Sequence, residues 1–383
     1  MMINNDQSKK ENYWLSVVVI GRNEARRLPD LFASLPEGPD IEWLYIDSRS
    51  SDNSVELALD FGAKVYLVDE DSVYAPGTGR YIGTIEAGGR WILYLDGDMV
   101  LRPEFAGFLE RLKKAEARAD QMQANQVKAD QVQVEIAEKT GSTQGESAQV
   151  APNQAAPPLN SISRNIAGFV GHTRNLYLDQ AGQVIAERDC VVLAKGDTGP
   201  AESWGREAHY HGGAVLYRRQ AVLEAGNWNP AVYQLEEADL YSRINTSGGR
   251  LRAVDLPMVD HYTPYLSQKE KLMLNFLPLW REKKLYGAGQ VVAARLRQGN
   301  LLQFIRIYPY PFIVAAGLLT IPLAFIWPFI PLLVNLAIIV IIGLVKKRWY
   351  IYLVYLGNLL QILRGLGRYK PFEPRYQLVK REK

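Results

Sequence analysis

Cysteine occurs once, at Cys190, so no internal disulfide can form and a stapled secreted scaffold is excluded. Charge imbalance is equally scarce. The 44 Lys and Arg against 41 Asp and Glu leave a formal net charge of +3, which gives no reason to invoke a nucleic-acid partner. The opening MMINNDQSKKENYW has charge but no apolar run behind it, so no cleavable secretory signal is expected and residues 1–14 read as a polar tail. Aromatic residues are missing from 109 to 168. There ADQMQ, ANQVK and ADQVQ make an imperfect five-residue repeat, followed by TGSTQGESAQVAPNQAAPP. The repeat suits a solvated helix, but the rest cannot bury enough apolar area to hold a fold, so 113–163 reads as a low-complexity, disordered insertion.

Charge is missing altogether from Pro311 to Val345, 35 positions that read as membrane. One straight helix of that length would reach about 52 Å, well beyond the ~30 Å hydrocarbon core, so a hairpin of two short spans over 308–345 is expected, turning near Pro328 and Pro331. Arg306 and Lys346-Lys347-Arg348 would then share the cytoplasmic side. Residues 265–307 alternate apolar and basic positions as interfacial helices do, and 346–383 reads as an interfacial or third membrane helix with a basic tail. The expected location is a multi-pass cytoplasmic or inner membrane, with the remainder of the chain in the cytoplasm.

That remainder alternates strand-like and helix-like runs, as in an α/β domain with a mostly parallel, Rossmann-like sheet. LSVVVI (15–20), IEWLYID (41–47), KVYLVD (64–69) and WILYLD (91–96) are the strands; ARRLPDLFASL, SVELALDFG and GRYIGTIEAGG are the helices between them. Ligands of such sheets collect at the carboxyl ends of the strands, and Asn23, Glu24, Asp47, Asp96 and Asp98 all fall there.

VVVIGRNEARRLPDLFASL, YIDSRSSDNSVELA, GRYIGTIEAGGRWILYLDGDMVL and, after the insertion, HGGAVLYRRQAVLEAGNWNPAVYQLEEADLYSRINTSGGRL occur in an order that resembles family 2 glycosyltransferases of GT-A fold. The resemblance divides the domain into a nucleotide-sugar-binding half (15–112) and an acceptor-binding half (164–264). It implies that Asp98 ligates a divalent metal, Mn²⁺ or Mg²⁺, and that Asp96 contacts ribose or metal-bound water. It also implies that Asp47 meets the nucleobase, Glu237 is the catalytic base with Glu236 beside it, and His261 completes the metal site.

The chemistry asks for such groups. Sugar transfer from a nucleotide diphosphate leaves charge on the diphosphate, which a hard cation held by carboxylates stabilises, and an acceptor hydroxyl needs a carboxylate base. Asn23 and Glu24 would lie near the nucleoside, and Arg80 would reach the diphosphate through a charge-assisted contact. Gly212 and Gly213 would let an acceptor pass close to the backbone, with Asp239 as a further acceptor-side acid. Bland alternatives stand beside each: an Asp-Gly turn at 96–98, a helix cap at Asp47 or Asp52, a surface Arg80, and an acidic first helical turn at 236–239. The implied protein is a membrane-anchored, inverting transferase using a nucleotide-diphospho-sugar and a lipid-linked or polysaccharide-precursor acceptor. The competing readings are a sugar nucleotidyltransferase, which would want a glycine-rich phosphate loop after the first strand, a processive synthase, and a non-catalytic membrane scaffold or transport component.

Overall fold

A computed structural model describes residues 13–72, 74–140, 165–190, 204, 206–208, 212–267, 270, 287–327, 329–347 and 351–380. The first half is β1 (Tyr13–Gly21), α1 (Leu28–Ser34), β2 (Ile41–Asp47), α2 (Ser54–Asp60), β3 (Lys64–Val68), α3 (Pro76–Glu86) and β4 (Gly89–Asp96). β3, β2, β1 and β4 lie side by side and parallel. The apolar runs are continuous because both faces of this sheet are covered. Val17 and Val19 pack with Phe32, Phe105 and Trp91 on one side, while Val18 and Ile20 pack with Ile82, Tyr94 and Leu240 on the other. Helix α3 lies very close to β1: a Cβ on Gly83 would come within 2.3 Å of Val18 Cγ1, and one on Gly79 within 2.8 Å of Ile20 Cγ2. That approach seats Arg80 directly over the strand ends.

After β5 (Met99–Leu101), α4 (Pro103–Thr140) runs on as one helix across the five-residue repeat, so the first part of the segment read as insertion is helical. Its start is buried through Phe105, Phe108 and Leu112, and positions 121–132 are exposed. The remainder of the insertion, 141–164, lies outside the described residues, as does most of the polar tail. The second half adds β6 (Ile166–Leu178), β7 (Val184–Cys190), β8 (Arg206–Glu207), β9 (Val215–Arg218), α5 (Arg219–Glu224), α6 (Glu236–Thr246) and β10 (Arg250–Pro264). β9 is antiparallel to β4 and to β6, which continues the sheet to β10 and, at its edge, β5. The result is a mixed α/β sheet, parallel in its first half.

The helices that follow are α7 (Gly287–Gln298), α8 (Leu301–Ile307), α9 (Tyr310–Leu318), α10 (Phe329–Lys346) and α11 (Ile351–Leu366), with a 3-10 turn at Ile321–Phe325. Among the described residues α10 is the one helix long and apolar enough to cross a bilayer; α8 with the residues through Leu323 meets the same test only as a pair bent by 103°. Of the two spans expected over 308–345, one is therefore a continuous helix of that length. Pro328 and much of 265–286 lie outside the described residues. Within the described part of 346–383, β11 (Tyr376–Leu378) pairs antiparallel with β3.

Candidate active site

Strand order reverses around β1 and β4, and their register aligns Ile20 with Asp96 and Gly21 with Asp47. The carboxyl ends of three strands thus open at one level, at the topological switch point where such sheets bind ligands.

Arg80 anchors the floor. Its Nη2 donates to Asp96 Oδ1 at 2.8 Å, and its Nη1 donates to Glu236 Oε1 at 2.8 Å and to Glu237 Oε1 at 3.1 Å. The guanidinium lies over Trp228, 5.1 Å from the ring centroid, and is fully buried. Burial disfavours its charge, but the three carboxylates more than reverse that and hold its pKa above the ordinary value. Instead of reaching outward for a diphosphate, Arg80 ties the β4 end to the first turn of α6. Leu235, at φ 65°, turns the chain so that Glu236 and Glu237 begin that helix.

The two glutamates differ in access. Glu236 is buried, and burial followed by the charge of Glu237 raises its carboxyl well above the usual carboxylate range. Glu237 opens to the cleft, its side chain 15% exposed, and accepts a hydrogen bond from the Gly213 backbone N–H at 3.3 Å. A Cβ on Gly212 would lie 3.6 Å from Glu237 Oε1. Gly213 has φ +86°, a backbone conformation that favours glycine, and a side chain there would push on the movable Met99 Cε, 2.6 Å away. Asp239, two residues on, is turned away: it is fully buried, 2.8 Å from Arg243 Nη2 and 3.0 Å from Arg295 Nε on α7. It joins α6 to α7.

Beside this network lies a second one. His261 Nε2 is 3.3 Å from Asp98 Oδ2, and its Nδ1 is 2.9 Å from Asn175 Oδ1. Strand pairing sets this up, since His261 lies opposite Met99 on β5 and Asn175 on β6, while Tyr262 N–H donates to the Asp98 carbonyl at 3.0 Å. Burial works against a charged imidazole, but the hydrogen bond and charge of Asp98, with Asp96 and Glu24 behind it, raise the His261 pKa. Glu24 is pushed up to about 7 by burial first, then by Asp98, Asp96 and Asp52. Asp96 is likewise raised by burial, against the pull of Arg80. Negative charge is thus in excess at the mouth of β1 and β4.

Asp98 Oδ1 is buried without a hydrogen-bond partner, the one open ligand atom of the pair. No group of three or more His, Cys, Asp or Glu side chains among the described residues is drawn together tightly enough to cage an ion by itself. A small divalent cation bound through one or two protein groups plus substrate phosphates needs no such cage. Asp98 and His261 therefore fit as a half-site that a diphosphate would complete.

The third cluster is built from loops. Asp47 is fully buried and accepts from Ser50 N–H at 2.7 Å and Ser50 Oγ at 2.5 Å. Asn23 N–H donates to Ser50 Oγ at 2.8 Å, Asn23 Oδ1 accepts from Ser51 N–H at 2.7 Å, and Glu24 N–H donates to Ser54 Oγ at 2.8 Å. Asp52 accepts from Ala25 N–H and Ser54, which makes it a loop cap. The serines zip the loops after β1 and β2 into one wall, with both Asp47 oxygens engaged. His209 and His211 lie outside the described residues, and His172 pairs with Asp255 away from the cleft.

Sequence reasoning missed Trp228, Asn175, Arg243 and Arg295. Only Trp228, within GNWNP beside a turn, carried a local signal.

The structure is a mixed α/β sheet with its carboxylates gathered at the carboxyl ends of the parallel strands, where such sheets bind ligands. The family model for glycosyl transferase family 2 matches residues 16–171; the match takes in the β1–β4 half and stops short of the α6 acids. A relative, the 4,4'-diaponeurosporenoate glycosyltransferase of Staphylococcus haemolyticus (strain JCSC1435), is 33% identical over 109 residues, which is 27% of this chain and 28% of that protein. Among solved structures, mannosyltransferase PcManGT from Pyrobaculum calidifontis, in complex with GDP-Man and Mn²⁺, is similar with a TM-score of 0.46 and 13% identity over 93% of this chain and 88% of that one. S. aureus TarS 1-349 in complex with UDP-GlcNAc is similar with a TM-score of 0.37 and 14% identity over 74% of this chain and 71% of that one.

Proposed function

We propose that the protein moves a sugar from a nucleotide-diphospho-sugar to a hydroxyl of a lipid-linked or polysaccharide-precursor acceptor, by inverting single displacement, at the cytoplasmic face of a membrane. The observation that carries this reading is the pairing of two half-sites at one strand mouth. Asp98 and His261 offer an open ligand atom on one side, and 3.1 Å from Arg80 on the other side Glu237 faces the cleft.

In this reading Asp98 and His261 hold Mn²⁺ or Mg²⁺, which supplies charge neutralisation on the diphosphate leaving group. The wall formed by Asn23, Asp47 and the serines receives the nucleoside. Glu237 takes the proton from the acceptor hydroxyl as its oxygen bonds the anomeric carbon and the carbon–phosphate-oxygen bond breaks. Arg80 orients Glu237 and Asp96 together, so that the base and the donor side are set by one side chain. Glu236, buried beneath Glu237, shares the Arg80 Nη1 donor with it and helps fix the guanidinium in place. The apolar helix α10 and the hydrophobic surface beside it support attachment to a bilayer, and a membrane-bound acceptor with it.

The test is nucleotide-sugar binding and turnover with and without Mn²⁺, in the intact protein and in Asp98→Asn and Glu237→Gln. Loss of metal-dependent donor binding in Asp98→Asn is expected, as is loss of transfer with donor binding retained in Glu237→Gln. Metal-independent donor binding, or full transfer by either variant, overturns the assignment.

A further inference from the structure

The apolar helices leave the catalytic domain and come back to it. α8 is docked on α6: Phe304 is fully buried among Val232, Ala238 and Val291, and Gln303 is hydrogen-bonded to Asn245. On the return, α11 packs so closely on α7 that a Cβ on Gly289 would lie 2.3 Å from the Ile362 carbonyl. Residues 376–378 then enter the same sheet as β10. Between those anchors α9 and α10 run antiparallel. At the base Lys346 Nζ sits 4.2 Å from the centroid of the Tyr310 ring, which itself stacks on Tyr355 at 4.8 Å. Midway, Asn335 Nδ2 donates to the Gly317 carbonyl at 3.1 Å.

The far end of this hairpin is its most exposed and least polar part. Phe325 is 96% exposed, Leu319 79% and Phe329 72%, and no charged residue lies between Arg306 and Lys346. Its turn satisfies itself. Thr320 Oγ donates to Gly317 O, and the N–H groups of Leu323, Ile326 and Trp327 find carbonyls within the turn at 2.8 to 3.0 Å. The hairpin's orphaned Asn335 Oδ1 is turned inward against Gly317. A loop emerging into water is seldom this apolar, and backbone at membrane depth must have its polar groups paired, as the local 3-10 pairing of this turn does for the groups named. One arm is also short: at ~1.5 Å per α-helical and ~2.0 Å per 3-10 residue, α9 with its 3-10 extension reaches about 24 Å against a ~30 Å hydrocarbon core.

We infer that α9 and α10 form a re-entrant hairpin, which enters the bilayer from the face carrying the catalytic domain, keeps the turn at 320–327 within hydrocarbon, and returns to the same face. Tyr308, Tyr310, Tyr355, Arg306 and Lys346 form its interfacial collar. This rests on the membrane attachment proposed above and adds to it that the turn of this hairpin does not reach the opposite side.

The experiment uses the full chain with Cys190→Ser, reconstituted in sealed vesicles with the catalytic domain outward. Single cysteines are placed by Gln126→Cys on α4, Ile326→Cys at the turn and Leu378→Cys on β11, and probed with a membrane-impermeant maleimide added outside or trapped inside. Positions 126 and 378 are expected to label from outside, and 326 from neither side until detergent is added. Labelling of 326 from the lumen would mean two complete crossings, and from outside would mean a hairpin that never inserts. Protection of 378 while 126 labels would mean an odd number of crossings. Each of these overturns the inference with membrane attachment intact, whereas failure of the wild-type chain to co-float with vesicles removes the attachment itself and the hairpin with it.

Discussion

His261 is clamped between Asn175 Oδ1 at 2.9 Å and Asp98 Oδ2 at 3.3 Å. If Nδ1 carries the proton toward Asn175, the Nε2 lone pair is left for a cation, the arrangement by which second-sphere partners orient metal-binding imidazoles. Asn175→Ala should therefore weaken Mn²⁺ binding by roughly 10- to 100-fold while Asn175→Asp, which keeps an acceptor, loses less. Titration followed by Mn²⁺ electron paramagnetic resonance reads this directly, and equal affinity in wild type and Asn175→Ala would remove Asn175 from the role.

Arg80 holds three carboxylates in a buried floor, so its loss leaves charges without a partner. Arg80→Ala should destabilise the fold by about 3–5 kcal/mol, the usual scale for breaking a buried pair. Arg80→Lys should recover only part of that, because an ammonium lacks the planar fork that reaches Asp96 and the glutamates together. Denaturant melts of both variants decide the point; a change under about 1 kcal/mol in Arg80→Ala would contradict it.

Stability should fall as pH rises through neutrality. Burial and neighbouring carboxylates hold Glu236 well above the 4.5 of a free glutamate and push Glu24 up to about 7. Above 4.5 the folded chain keeps protons that the unfolded chain has released, so the stabilisation is complete below that limit and is lost as pH climbs through the raised folded-state range. Asp96 and His261 are raised as well and act in the same direction. Thermal melts in chelator from about pH 5.5 to about pH 8.5 should show a falling Tm, with a flatter profile in Glu236→Gln. A Tm that rises over this range would contradict the scheme.

Asp239 separates a structural acid from a functional one. Its pairing with Arg243 and Arg295 makes Asp239→Asn a stability variant, expected to cost about 3–5 kcal/mol, while the folded fraction keeps its acceptor KM. A raised KM with an unchanged melt would return Asp239 to the acceptor path.

These residues also show what sequence could reveal. IEWLYID and the observed β2 coincide because a strand buried on both faces is written as an unbroken apolar run bounded by turns. Asp98 and His261 were legible through the order of the blocks. Asn175 was not, since nothing local marks it: its place depends on β6 lying parallel to β10, a pairing made across a long stretch of chain. The misplacement of Asp239 was avoidable. At about 100° per residue, two helical positions apart face roughly opposite ways, so Glu237 in the cleft sends Asp239 inward. Arg80 was read as a ligand contact because a positive side chain near a diphosphate is the simpler picture; only three-dimensional closeness of 96, 236 and 237 shows that its charge is already taken up. The strand at 376–378 is three residues long, too short for any alternation to announce it.

That short strand also closes an edge. β3 is the outermost parallel strand, and without residues 376–378 its backbone N–H and C=O groups would face outward as a template for strands of other molecules. During synthesis the apolar hairpin is complete before its cover strand exists. The sheet then carries an open edge until residues 376–378 are made, which leaves a nascent or clipped chain with an exposed strand template that the fully returned chain covers.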